Sequence, residues 1–154
     1  MNSVKTFFLL TIMTGFFLLI GRMIGGQSGM MIAFIFAIVM NFVSYWYSHK
    51  IVLKIHKASL VDSESNVYKS FQSLLSKADI KGPRLYIYDS DEPNAFATGR
   101  NFENSVVAVS SSLLDTLNKE EIEGVLAHEI AHIENNDILI ASVAATFAGA
   151  ISMI

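Results

Sequence analysis

Cysteine is absent from all 154 residues, which excludes disulfides, thiol catalysis and any cysteine-ligated metal. Charge is scarce as well: Asp, Glu, Lys and Arg make up 16% of the chain, against roughly 25% in an average soluble domain. There is no basic excess. A net charge of -3, a pI near 5.7 and no clustered basic face remove the electrostatic footprint of a nucleic-acid binder. Any ligand must be held by oxygen and nitrogen donors. What the chain has instead is hydrophobicity, 52% of its residues with a mean hydropathy of +0.44, which excludes disorder, collagen and coiled coil. The charge deficit has to be concentrated in uninterrupted apolar runs.

The first such run covers residues 6–21, between Lys5 and Arg22, and reaches spanning length at Ile24 if Arg22 snorkels. A cleaved secretory signal has the same outline, a lysine, a short apolar stretch and then Gly25, Gly26 and Ser28. The second run weighs against that reading. Residues 30–47 carry no formal charge and close on Tyr45, Trp46 and Tyr47, an aromatic cluster suited to headgroup depth. Separated by a glycine-rich turn, the two runs predict a transmembrane helical hairpin that, with a juxtamembrane extension, fills residues 1–57. A third apolar run, residues 138–154, contains Ala141, Ser142, Ala144, Ala145, Ala148, Gly149 and Ala150, small residues that let another helix approach closely. It reads as the start of a third membrane helix, or as a buried core helix of a soluble domain. Lys5 at one end of the hairpin and Lys50, Lys54 and Lys57 at the other, against Arg22 alone in the turn, orient both ends toward the cytoplasm. The expected setting is a multi-pass protein in a lipid bilayer, with residues 58–137 on the cytoplasmic side.

Within that polar region Val67, Phe71, Leu74, Leu75 and Ala78 recur with helical spacing until Gly82 and Pro83 end the pattern. Residues 84–88 read as a strand and residues 89–94, with Pro93, as a turn. Residues 95–99 and 105–110 read as two more strands, joined by a loop over residues 100–104. The expected class is α+β, a helix followed by a small antiparallel sheet. Ser110, Ser111 and Ser112 can cap a short helix through Leu117, and Asn118 with Glu121 has the form of a capping box for the next one.

That next helix carries His128, Glu129, Ile130, Ala131 and His132, the pattern H-E-x-x-H. Residues four apart lie about 6 Å along a helix axis and roughly 40° around it, so two imidazoles can converge on one ion. Neutral imidazole nitrogen suits zinc. Glu129, about 100° round from His128, is poorly placed as a ligand but can reach a water held on the metal and act as a general base for peptide hydrolysis. The bland alternative is an amphipathic helix whose histidines are merely exposed or hydrogen-bonded. That alternative gives an aligned histidine pair beside a glutamate no packing purpose.

With this helix preceded by Asn94-Ala95-Phe96-Ala97-Thr98-Gly99 and Val107-Ala108-Val109-Ser110, and followed by Asn135 and Asp137, most of the chain resembles the HtpX-type membrane-anchored zinc metalloproteases, relatives of the Ste24 prenyl-protein proteases. The resemblance implies a zincin-like α+β protease domain attached to transmembrane helices. It implies His128 and His132 as zinc ligands and Glu129 as the catalytic carboxylate. Asn94, Ala95, Phe96, Ala97, Thr98 and Gly99 would form a sheet edge to which an extended substrate adds. It also implies the bacterial cytoplasmic membrane, and a stress-response role in quality control that degrades misfolded or damaged membrane proteins. Where the family places its third zinc ligand, a glutamate on a later helix, this sequence offers nothing suitable. Glu134 points away from the histidine face and Glu103 sits in a loop. The chain is therefore expected to be the N-terminal part of a longer protease, incomplete at its C-terminus and inactive alone. His49 and His56, roughly 10 Å apart on one helix face, read as interfacial polar residues. An intramembrane zinc protease would bury its motif in a membrane helix, whereas polar residues flank this one. From another class, a non-catalytic membrane homologue could bind client proteins without hydrolysis.

Overall fold

The computed structural model describes residues 2–144. In chain order the elements are α1 (Asn2–Ile55), β1 (Ser59–Leu60), α2 (Asn66–Lys77), β2 (Arg84–Tyr88), β3 (Ala95–Gly99), β4 (Ser105–Ser110), α3 (Ser111–Thr116) and α4 (Lys119–Glu134). Residues 138–144 are helical again, and the remainder of the third apolar run lies outside the described residues.

The first element is two arms rather than one rod. Helical geometry fails at Gly25 and Gly26, and Gly26, at φ 58° and ψ -136°, holds a conformation that a side chain would strain. The chain folds back there. Asn41 Nδ2 donates to Thr14 Oγ1 at 2.9 Å across 27 residues, and the rings of Phe17 and Phe36 meet edge-on at 5.3 Å. The outward faces of the arms stay uncovered: Phe7 is 67% exposed, Ile32 70% and Met23 85%. Among the described residues one helix, Ser3–Ile55, is long and apolar enough to cross a membrane. Residues 138–144 lie against the arms, with Val143 fully buried beside Phe17 and Ala37.

The sheet has the order β1-β2-β4-β3. β3 and β4 form the antiparallel hairpin expected from their sequences, in the register Ala97 opposite Val107. Gly99 closes it at φ 140°, where a Cβ would run into Asn104 and Ser105. The expectation of a wholly antiparallel sheet fails, because β2 pairs with β4 in parallel, Leu85 opposite Val107. The cause is burial. β4 (SVVAVS) carries no charge and is buried at all six residues, so it takes the centre. The chain reverses after β2 and again after β3, which leaves β2 and β4 running the same way. β1, two residues long, adds antiparallel to β2 and has no counterpart in the sequence reading.

α2 and α4 cover one face of this sheet. Phe71 and Leu75 of α2 and Leu126, Ile130 and Ile133 of α4 close over Leu85, Val107 and Val109 in a single apolar cluster. The other face meets the end of α1. His56 packs on Tyr88 and Phe96, with ring centres 4.9 and 5.2 Å apart, and the Arg100 guanidinium lies 4.1 Å over the Trp46 ring. The arms are thereby joined to the sheet. Truncating Leu126 to alanine leaves a cavity under α4 and is expected to cost about 2–5 kcal/mol, read as a lowered thermal midpoint in detergent. Phe7→Ala, on an uncovered face, is expected to leave that midpoint nearly unchanged.

Candidate metal centre

α4 is fastened at both ends. Asn118 Oδ1 accepts from the Glu121 N–H at 3.0 Å while Glu121 Oε2 accepts from the Asn118 N–H at 2.9 Å, so both halves of the capping box form. At the other end the Asn135 side chain donates to the Ala131 carbonyl at 2.9 Å, and Asn136, at φ 57°, turns the chain. Leu126, Ile130 and Ile133 face the core, which fixes the rotation of the helix. His128 and His132 consequently share one side of it.

Their Nε2 atoms stand 3.1 Å apart, with the rings nearly perpendicular at 86°. Two nitrogens on one tetrahedral zinc, each about 2.0–2.1 Å from it, are separated by roughly 3.3 Å. The donor pair therefore fits such an ion in both type and spacing. On the far side of the second ring, Asp137 Oδ2 lies 3.8 Å from His132 Nδ1, the direction from which a carboxylate orients a metal-binding imidazole.

Glu129 points toward the sheet edge. Burial pushes its carboxyl above the usual range, while the charges of His132 and His128 and a hydrogen bond from the Ala97 backbone pull the other way. That backbone group is available for a reason of register. Ser110 donates to the Asn94 carbonyl, so Phe96 and Thr98 pair inward with β4, while the main-chain groups of Ala95, Ala97 and Gly99 turn outward.

The outward groups are not equally open. Gly99 donates to Ser142 Oγ at 3.1 Å, and the hydroxyls of Thr98 and Ser142 are 2.6 Å apart, so residues 138–144 cover that end of the edge. Of the six residues from Asn94 to Gly99, the first four keep exposed surface, whereas Thr98 and Gly99 are buried. The sequence reading treated Ser142 only as a small residue for helix packing; its hydroxyl among alanines was the available signal. His49 is buried and His56 sits against Tyr88 and Phe96, so neither joins the pair. Among the described residues no group of three or more His, Cys, Asp or Glu side chains gathers in a way that could hold a metal. Glu134 lines a groove with Leu74, Ala127 and Ala131, and Glu103 lies in the loop between β3 and β4.

With this geometry in place, the comparisons are informative. The sequence profile of peptidase family M48 matches residues 62–154. The chain is 54% identical over 155 residues to a protease HtpX homologue of Desulforapulum autotrophicum, covering 99% of this chain and 50% of that protein. It is 53% identical over 156 residues to a protease HtpX homologue of Persephonella marina, covering 100% of this chain and 54% of that protein. The chain thus spans about half the length of the curated relatives it matches. Among solved structures, that of Ste24p from S. mikatae superimposes with a TM-score of 0.52 at 22% identity, over 96% of this chain and 37% of that one, a likeness of fold alone.

Titrating zinc into the detergent-solubilised chain is expected to move the imidazole ¹⁵N resonances of His128 and His132 together and to leave those of His49 and His56 in place. In His132→Ala the response of His128 should be lost at the same zinc concentration.

Proposed function

Because the chain belongs to peptidase family M48, we propose that it is part of a membrane-bound zinc metalloendopeptidase, and that it supplies two metal ligands, the catalytic carboxylate and one side of the substrate cleft. The observation that carries this reading is the pair of Nε2 atoms 3.1 Å apart, with Glu129 as the next residue after His128, held by the backbone of an edge strand. When bound, zinc supplies Lewis acidity that polarises an amide carbonyl and lowers the pKa of water toward about 7.

The residues of the chain do the rest. His128 and His132 would hold the ion through Nε2. Glu129 takes a proton from the attacking water at its carboxylate and delivers it to the departing amide nitrogen, as the C–O bond forms and the C–N bond breaks. A half-buried carboxyl with a raised pKa retains that proton between the two events better than an exposed one. The open part of β3, from Asn94 to Ala97, pairs with an extended substrate through the outward main-chain groups of Ala95 and the Ala97 carbonyl.

A catalytic zinc takes three protein ligands, and among the described residues no third one gathers beside the pair. The 154 residues alone are expected to bind zinc weakly and not to cleave protein. The arms of α1, apolar and uncovered, lie in the bilayer with both ends toward the cytoplasm, an orientation supported by Lys5, Lys50, Lys54 and Lys57. Substrates are misfolded or damaged proteins in or near that membrane, so the role is one of quality control under stress.

Glu129→Gln in the intact gene product, assayed in its own membrane against an unfolded membrane-protein substrate, is expected to lower turnover by about 10²–10⁴-fold with zinc content unchanged. Client binding without turnover in the parent, unchanged in Glu129→Gln, would instead support a protein that binds clients without cutting them.

A further inference from the structure

A cavity of about 610 Å³ opens where the start of α1, the end of its second arm, the β3–β4 loop and the turn after α4 come together, lined by Lys5, Tyr45, Arg100, Asn135, Asn136 and Asp137. Two of these are cations, and among the described residues neither Lys5 nor Arg100 enters an ion pair. The Arg100 guanidinium carbon lies 4.1 Å from the centre of the Trp46 ring, and its Nε is buried without a hydrogen-bond partner. A guanidinium that lines a cavity without a carboxylate partner can donate there to an anion.

The position of the cavity identifies the anion. Lys5 stands twenty residues before Gly25, about 30 Å of helix at 1.5 Å per residue, which is the thickness of a hydrocarbon core. Tyr45, which lines the cavity with Lys5, belongs with Trp46 and Tyr47 to an aromatic cluster on the returning arm of the kind that meets headgroups. Basic pockets between membrane helices on the cytoplasmic side receive anionic headgroups. Among the described lining residues Asp137 is the one carboxylate, 3.8 Å from His132 Nδ1, against the two cations Lys5 and Arg100.

We propose that this cavity binds the phosphate of an anionic lipid headgroup between Lys5 and Arg100, beside the turn that directly follows His132. The proposal rests on the arms of α1 lying in the bilayer. It concerns a lipid-bound phosphate, and a free phosphate ion is the competing source of the same chemistry.

The test is native mass spectrometry of the intact gene product in mild detergent, supplemented in turn with phosphatidylglycerol, phosphatidylcholine or inorganic phosphate. Phosphatidylglycerol should be retained in preference to phosphatidylcholine. Its retention should fall about fivefold for Lys5→Gln or Arg100→Gln and about thirtyfold for both together. Lys50→Gln, outside the cavity lining, should change nothing. If the double variant fails to fold, Lys5→Gln alone, at an exposed position, carries the test. Equal retention in variant and parent overturns the proposal, as does displacement of the lipid by millimolar inorganic phosphate. Carbonate extraction of native membranes separates the two failures: a protein that stays in the membrane but shows no charge-dependent lipid retention loses only the headgroup site, whereas one that is extracted loses the membrane reading too.

Discussion

Two imidazole nitrogens held 3.1 Å apart set the terms for the rest of the structure. At that distance two unprotonated ring nitrogens repel, so the arrangement makes chemical sense when a proton or a cation lies between them. It persists because the helix beneath has no freedom to rotate. Leu126, Ile130 and Ile133 anchor one side of α4 in the core, and caps at Asn118 and Asn135 fix its ends. Helical periodicity then carries that rigidity to His128 and His132 on the other side. Two rings on a packed helix are held more precisely than two rings on a loop.

The sheet edge and the helix work as one unit. Glu129 is neither a third donor nor a solvent-exposed acid, because the outward N–H of Ala97 draws it toward β3. On the proposed reading, the strand along which a substrate would lie is also the strand that steers the carboxylate that would carry the proton. Ser142 covers the Gly99 end of that strand, which confines the opening to the Asn94 end. Since residues 138–144 also pack on Phe17 and Ala37, the position of the apolar arms bears directly on how much of the edge is open.

Much of this was legible in the sequence wherever the determining interaction is local. The capping box needs only Asn118 and Glu121, three residues apart, and the convergence of His128 and His132 needs only the pitch of a helix. The β3–β4 hairpin follows from two short runs and the loop between them. What was not legible is non-local. Nothing in Arg84–Tyr88 announces that it will pair in parallel with Ser105–Ser110, because that depends on which strand is apolar enough to occupy the centre. β1 is too short to carry a pattern. The hydrogen bond from Ala97 to Glu129 comes from a backbone group, which leaves no trace in residue identity. His49, read as an interfacial polar residue, is buried, because the end of α1 folds onto the sheet rather than standing clear of it.

The most direct test of the account is X-ray absorption at the zinc edge on the intact gene product purified without chelator. The account predicts one zinc per chain with two imidazole scatterers at about 2.0 Å, and loss of the imidazole signal when His128 and His132 are both replaced by alanine. A protein free of transition metal, or a zinc whose imidazole shell survives that double replacement, would contradict it.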